Sequence, residues 1–413
     1  MTVTSKNLDA KLQQAGNAVD MLRRSSATPD SLPIQAEFTN WRDEQEAWRT
    51  GAALFDQSHH MTDLYVEGPD AIRLLSALGV NSFKNFGCNR AKQLVACNSD
   101  GFVIADAVLF GLEPERFNIV GRPSMADWVE FHARTGGYDV VLHRDDRVSR
   151  NPFGRRVYRF EMQGPNVLDI LRKINGGPLP EIRFFHLGDL VIAGRRVRAL
   201  RRRGMCGAPG IEIWGPVADG PAVLDALMTA GAEFGLRRCG ARAQSTFATE
   251  SGWIASPLPA IYSGDTMKAY REWLSADSFD ATASLGGSYC SMRIEDYYLT
   301  PWDLGNGHFV SSITISSAAM RLRYAPLSPI GGRCRCPGTA TTSSGCSRAC
   351  WVKATGRSTW KCRRPITRRS PMTPCCAMGK ASASPPTSFT PQMAANGSRR
   401  RSSMKRLLNP APR

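Results

Sequence analysis

Seven side chains between residues 60 and 253 are of types that could do chemistry and sit in conspicuous strings. Glu212 lies in GIEIWGP, where Ile211 and Ile213 take the opposite face of an alternating strand; on spacing alone it is a surface carboxylate or one turned into a site. Asp106 is the lone acid of the apolar run VIADAV. A buried carboxylate without a partner is costly, so this one is either paired or functional. In DQSHHM, Gln57 precedes His59 and His60; adjacent side chains on a strand point to opposite faces, which argues against a shared metal. Arg122, in IVGRP, offers a planar fork suited to a carboxylate, or is a solvated cation at a strand end. Trp253, in SGWI, could stack on a flat ring, although most tryptophans are core. Gln163, in MQGP, and Gln244, in GARAQ, are amides, able to hydrogen-bond but not to give up a proton.

The elements that must position these groups are legible as patterns. A short alternating strand, Gly-Pro and an amphipathic helix closed by Gly recur at 64–79, 159–176 and 211–231. Gly permits the sharp turn, Pro pre-sets a helix-starting φ, and the last Gly caps. In the first copy Ile72, Leu75 and Leu78 are expected to face a sheet. Residues 93–112 read as a hairpin around NSDG, 189–202 as another around AG, and 123–137 as a helix stopped by Gly. Strands and helices mix without strict βαβ alternation, so the fold class expected is α+β. No GxGxxG, P-loop, HExxH or GxSxG appears, which counts against nicotinamide, nucleoside-triphosphate, zinc-protease and serine-hydrolase chemistry.

Composition divides the chain. Of its 413 residues, the last 103, from Ser311, hold 19 Lys and Arg and no Asp or Glu, leaving 34 bases against 36 acids before them. Seven of the 12 Cys also lie there, in spacings that do not make paired CxxC motifs. Aromatics are sparse, so a nucleic-acid arm is a poor account. A one-base frame shift explains the segment better: read from the third base of each codon, SSITISS permits Phe-Asp-His-Asp-Phe-Ile. MAANGS likewise permits Asn-Gly-Gly-Lys-Trp-Val, a hairpin turn. Three regions are therefore expected: an N-terminal helical segment over 1–50, an α/β region of two intertwined subdomains over 51–310, and a disordered out-of-frame tail over 311–413. Residues 1–310 contain no apolar run long enough for a membrane span and five Cys without paired spacing. A cytoplasmic enzyme that binds neither membrane nor nucleic acid is the default expectation.

Several strings, in order, resemble the glycine-cleavage T-protein superfamily of folate-dependent one-carbon transferases: LFDQSHHMTDLYVEGPDA (54–71), GFVIADAV (101–108), MQGPN (162–166) and GAPGIEIWGP (207–216). Others resemble its tetrahydrofolate-dependent aryl O-demethylases, which act on vanillate or syringate: EFTNWRDEQEAWR (37–49), HARTGGYDV (132–139), ESGWIASPLPAIYSGDTMKAYREWL (250–274) and IEDYYLTPWDLGNGHFV (294–310). The resemblance covers nearly all of 1–310. It implies α/β domains around a central folate channel, closed on one side by a C-terminal β-barrel that a frame lost at 311 would remove. The implied cofactor is tetrahydrofolate and the implied partner a small aromatic methyl ether.

The resemblance also implies roles. Glu212 would hold the pterin edge, with Gln163 and Trp253 near the folate. Asp106, half of a family Asp pair, would touch the cofactor or serve structure. His60 and Arg122 would contact the aryl substrate and its carboxylate. Gln244 stands where the demethylases carry a catalytic Tyr, and Leu32, before Pro33, is a second departure of the same kind. An amide cannot supply the proton a phenol can, a loss of roughly 10²- to 10⁴-fold unless another group substitutes. An aminomethyltransferase, or a folate-binding protein without turnover, remains the alternative.

Overall fold

The structure is a computed structural model that describes residues 5–26, 32–204 and 207–311. Apart from Ser311, the expected out-of-frame tail and the barrel it would replace lie outside the described residues.

Eleven strands among the described residues form two sheets. In chain order they are β1 (Ala52–Asp56), β2 (Thr62–Glu67), β3 (Ala91–Cys97), β4 (Val103–Glu113), β5 (Arg116–Gly121), β6 (Val141–Asp145), β7 (Val157–Gln163), β8 (Leu187–Ile192), β9 (Arg195–Arg203), β10 (Pro209–Pro216) and β11 (Leu236–Cys239). One sheet runs β11–β1–β7–β10–β9–β8 and the other β3–β4–β5–β2–β6. All neighbours are antiparallel except the pair β1–β11. The chain thus starts in the six-stranded sheet, builds the five-stranded one, and returns. The α helices are α1 (Leu8–Ala15), α2 (Ala18–Arg23), α3 (Trp41–Thr50), α4 (Ala71–Leu78), α5 (Pro123–Thr135), α6 (Val167–Asn175), α7 (Gly220–Gly231), α8 (Ala241–Ser251) and α9 (Lys268–Trp273). Mostly antiparallel sheets with helices on their faces make the fold α+β.

Each sheet packs one apolar face against helices. Leu64, Leu94 and Ile119 of the five-stranded sheet pack with Leu74 and Leu75 of α4, Met125 and Val129 of α5, and Leu8, Val19 and Leu22 from the N-terminal helices. Phe160, Ile211 and Ile213 of the six-stranded sheet pack on Ile170, Leu171, Val223 and Leu227 of α6 and α7. A separate cluster, Phe110 and Val120 with Leu187, Leu200 and Trp214, joins the two sheets.

The expected hairpins, β3–β4 and β8–β9, and the helix α5 form where the patterns place them. The repeat holds in part. Gly68 and Gly164 share φ +133°, and a Cβ on either would come within 2.5 Å of a backbone carbonyl oxygen, Asp139 or Gly51. Pro69 and Pro165 precede the cap residues Asp70 and Asn166, so neither opens its helix at the first helical position. In the third copy Gly215 does not take a positive φ, and a 3₁₀ turn separates β10 from α7. On α4 the buried stripe is Ala71, Leu74, Leu75 and Leu78. Ile72, expected to face the sheet, is 36% exposed, because the i, i+3, i+4, i+7 set starts one residue earlier.

Candidate functional site

Six of the seven singled-out residues line one cavity of about 930 Å³: His60, Asp106, Arg122, Glu212, Gln244 and Trp253. Leu32 is in its wall as well. The volume is within the range of roughly 300–1,000 Å³ that holds a small organic ligand.

A row of charges meets the cavity wall at Arg202, Glu212 and Arg159. Glu212, on β10, accepts from Arg159 Nη1 at 2.6 Å and from Arg202 Nη1 at 2.8 Å. Arg159, on β7, also donates from Nη2 to Asp63 Oδ1 on β2, at 2.9 Å. Asp63 accepts in turn from Arg155 and from Asn118 Nδ2, the latter at 2.8 Å. Arg155 closes the row on Asp145, at 3.6 Å. Signs alternate along Arg202, Glu212, Arg159, Asp63, Arg155 and Asp145, and the row crosses from the six-stranded to the five-stranded sheet. Burial works to raise the pKa of both Glu212 and Asp63, but the guanidinium groups beside them outweigh it and leave each below the ordinary value. Glu212 is therefore an ionised acceptor. Each carboxylate oxygen carries two lone pairs, so one arginine per oxygen leaves capacity for a ligand's N–H donors.

The opposite condition holds at Arg122. Strand β5 ends at Gly121, and Arg122 is the cap residue of α5 with Pro123 at the first helical position. This junction places Arg122, half-buried, in the wall of the cavity. No hydrogen bond or ion pair reaches it among the described residues, and its Nε is buried without an acceptor. Burial lowers its pKa, and the charge of Asp106 only partly offsets this. A half-buried guanidinium with no hydrogen-bonded partner in a cavity wall can receive an anion.

His60 belongs to the same wall. It lies with His59 in the turn between β1 and β2 rather than on a strand, and the two rings diverge: His59 Nε2 is 3.3 Å from Asp56 Oδ2, while His60 faces the cavity. Burial, then the charge of Arg122, lowers His60 to about 3, so it is neutral near pH 7. Asp106, on β4, accepts from Gln93 Nε2 at 2.7 Å and Trp253 Nε1 at 3.2 Å. Burial raises its pKa, and those two hydrogen bonds oppose the rise. Asp106 is thus paired by hydrogen bonds, which meets the first branch of the expectation, and it also lines the cavity.

Gln244 lies on α8, on the helix face that also gives Ala241 and Ser245 to the cavity. Its Nε2 donates to Gln57 Oε1 at 3.4 Å, and Gln57 Nε2 donates to Glu161 Oε2 at 3.2 Å. Gln163 is placed differently. It is fully buried, neither atom of its amide has a partner among the described residues, and it does not line the cavity, although its neighbour Gly204 does. A Cβ on Gly204 would lie 1.9 Å from Gln163 Oε1.

Beneath α5, Asp280 accepts from Ser124 Oγ at 2.9 Å, its second oxygen being unpartnered among the described residues. Burial first, then the charge of Asp127, pushes its pKa up to about 7. Its neighbours Ser278 and Phe279 line the cavity.

Sequence reasoning did not single out Arg159, Asp63, Arg202 or Glu161. A signal was present in β7, VYRFEMQ, where Arg159 and Glu161 stand two apart on one face between apolar residues. The pairing with Asp63 had no local signal, because it comes from the other sheet.

Residues 11–257 match the GCVT N-terminal domain family. The chain is 47% identical over 308 residues to a syringate O-demethylase of Sphingobium sp., covering 74% of this chain and 66% of that protein. It is 31% identical over 247 residues to an aminomethyltransferase of Streptomyces avermitilis, covering 57% and 62%. The crystal structure of the glycine cleavage system aminomethyltransferase T from Bartonella henselae aligns with a TM-score of 0.45 and 21% identity, over 66% of this chain and 71% of that one. The chain therefore spans just under two thirds of the length of these curated relatives. The match over well more than half of its residues shows that it belongs to the GCVT N-terminal domain family.

Proposed function

We propose that this chain is a tetrahydrofolate-dependent O-demethylase, a cytoplasmic transferase that moves a methyl group from a methoxylated aromatic acid to the coenzyme. The observation that carries the reading is the half-buried Arg122, without a hydrogen-bonded partner among the described residues, with neutral His60 in the same cavity as the ionised Glu212. An aromatic carboxylate satisfies the first group and the donor edge of a pterin the second. The 47% identity to a syringate O-demethylase supports the same substrate class.

Tetrahydrofolate fits the residues present. Glu212 would hold its pterin, and Trp253, its indole fixed by the bond to Asp106, would give a flat face beside it. When bound, the coenzyme would supply N5 as the nucleophile for the methyl group. The chain's own residues do the rest: Arg122 and His60 orient the substrate, and the phenolate oxygen that keeps the bonding pair must then gain a proton. Gln244 cannot supply it.

Calorimetry with tetrahydrofolate and with syringate, followed by chromatography of the phenol and the methylated coenzyme, tests the reading. No affinity for tetrahydrofolate at millimolar concentration would refute it. The variant Gln244→Tyr is expected to raise turnover roughly 10²- to 10⁴-fold, as a placed proton donor should. A folate-binding protein without turnover is the second reading, favoured by Gln244 alone; binding of both ligands with no methylated product selects it. Methylamine-type donors in the same assay test the aminomethyltransferase alternative, which the 31% relatives support less well. The tail is proposed to be out of frame, and an intact gene frame encoding SSITISS would end that proposal.

A further inference from the structure

We propose that Asp63, which does not line the cavity, is a positioning residue for coenzyme binding, acting on Glu212 through the fork of Arg159. The inference rests on the reading of Glu212 as the pterin acceptor.

Arg159 is divided between two carboxylates on two sheets: Nη1 serves Glu212 and Nη2 serves Asp63. A guanidinium is rigid and planar, so fixing one nitrogen fixes the other. Asp63 is fully buried and has its own supports, Asn118 on β5 and Arg155 in the connection from β6 to β7. The rings of Phe110 and Trp214 lie 5.5 and 5.0 Å from the same guanidinium and restrict its rotation. Glu212 Oε1 thus receives its position from a residue of the other sheet.

Charge works in the same direction. With Asp63 present, Arg159 is shared, and Glu212 keeps negative potential toward the cavity. With Asp63 neutral, the whole cation falls to Glu212, which is drawn toward Arg159 and becomes a weaker acceptor for ligand N–H groups. The pterin site is therefore complete only when the two sheets are docked, because its acceptor is on β10 and its anchor on β2.

A double-mutant cycle on the full chain tests this, with tetrahydrofolate affinity measured by calorimetry. Asp63→Asn is expected to weaken binding roughly tenfold when Glu212 is present, and less than about twofold in a Glu212→Gln background. Syringate affinity, which depends on Arg122, should stay within about twofold of wild type. A merely structural role would lower both affinities and would act equally in both backgrounds, and either result overturns the inference. Should Asp63→Asn not fold, Asn118→Ala removes one hydrogen bond to Asp63 and no charge. It should give a smaller loss, roughly threefold, again only when Glu212 is present; equal loss in both backgrounds overturns the inference. Failure of wild type to bind tetrahydrofolate would instead refute the proposed function, so the two failures are distinguishable.

Discussion

Two groups of charges in the cavity wall treat their arginines in opposite ways. Arg159 is held between Asp63 and Glu212, and Arg202 sits on the far oxygen of Glu212, so every charge there meets its opposite within the protein. Arg122 has no such partner among the described residues, and Asp280, under the same helix, has a single donor. The first group has its electrostatics settled before any ligand arrives and can present a fixed acceptor. The second holds an unmet charge that a ligand must neutralise. A saturated network gives geometry, and an unsaturated one gives affinity for an anion.

Substitutions can break this contrast. The largest effect is expected for Arg159→Met, which takes one of two guanidinium partners from each of two buried carboxylates, Glu212 and Asp63, and should lower unfolding free energy by about 3 kcal/mol in urea titration. Retained stability would mean the row is not a paired network. Arg122→Met should do the reverse: stability within about 1 kcal/mol of wild type or higher, because the chain loses a half-buried charge that Asp106 only partly compensates. The same variant should lose roughly 10- to 100-fold in syringate affinity, as expected for a lost charge-assisted bond. A large destabilisation by Arg122→Met would abolish the distinction between the groups.

A smaller effect sharpens it. The Asp280 carboxyl has a folded pKa of about 7, above its ordinary value, so the folded state holds the proton more tightly than the unfolded chain. Its contribution to stability is present at low pH and is lost as pH rises through 7. Asp280→Asn removes that slope, so its melting temperature should fall less than that of wild type between about pH 5 and about pH 8. Parallel pH curves would contradict this.

Much of the scaffold was legible because local rules decide it. The hairpin at NSDG, the helix opening at Pro123 and the glycine turn after β2 each follow from a few neighbouring residues. The offset of the buried stripe on α4 was a phase error of one residue. The site divides along the same line. Glu212 and Arg122 were conspicuous from their own strings, but what surrounds them was not. Whether Arg122 is solvated or lines a cavity depends on the helix that follows, and the anchor of Arg159 lies nearly a hundred residues earlier in the chain. Gln163 shows the limit from the other direction, since its string singled it out and it does not line the cavity, while its neighbour Gly204 does.

Gly68 and Gly164 share a backbone angle that excludes ordinary side chains, and behind each is a main-chain oxygen that no rotamer change can move aside. In a library covering every substitution, these two positions should therefore behave as twins, each depleted of everything but glycine. Neither would owe its intolerance to catalysis, and a selection for activity alone would mistake both for active-site residues.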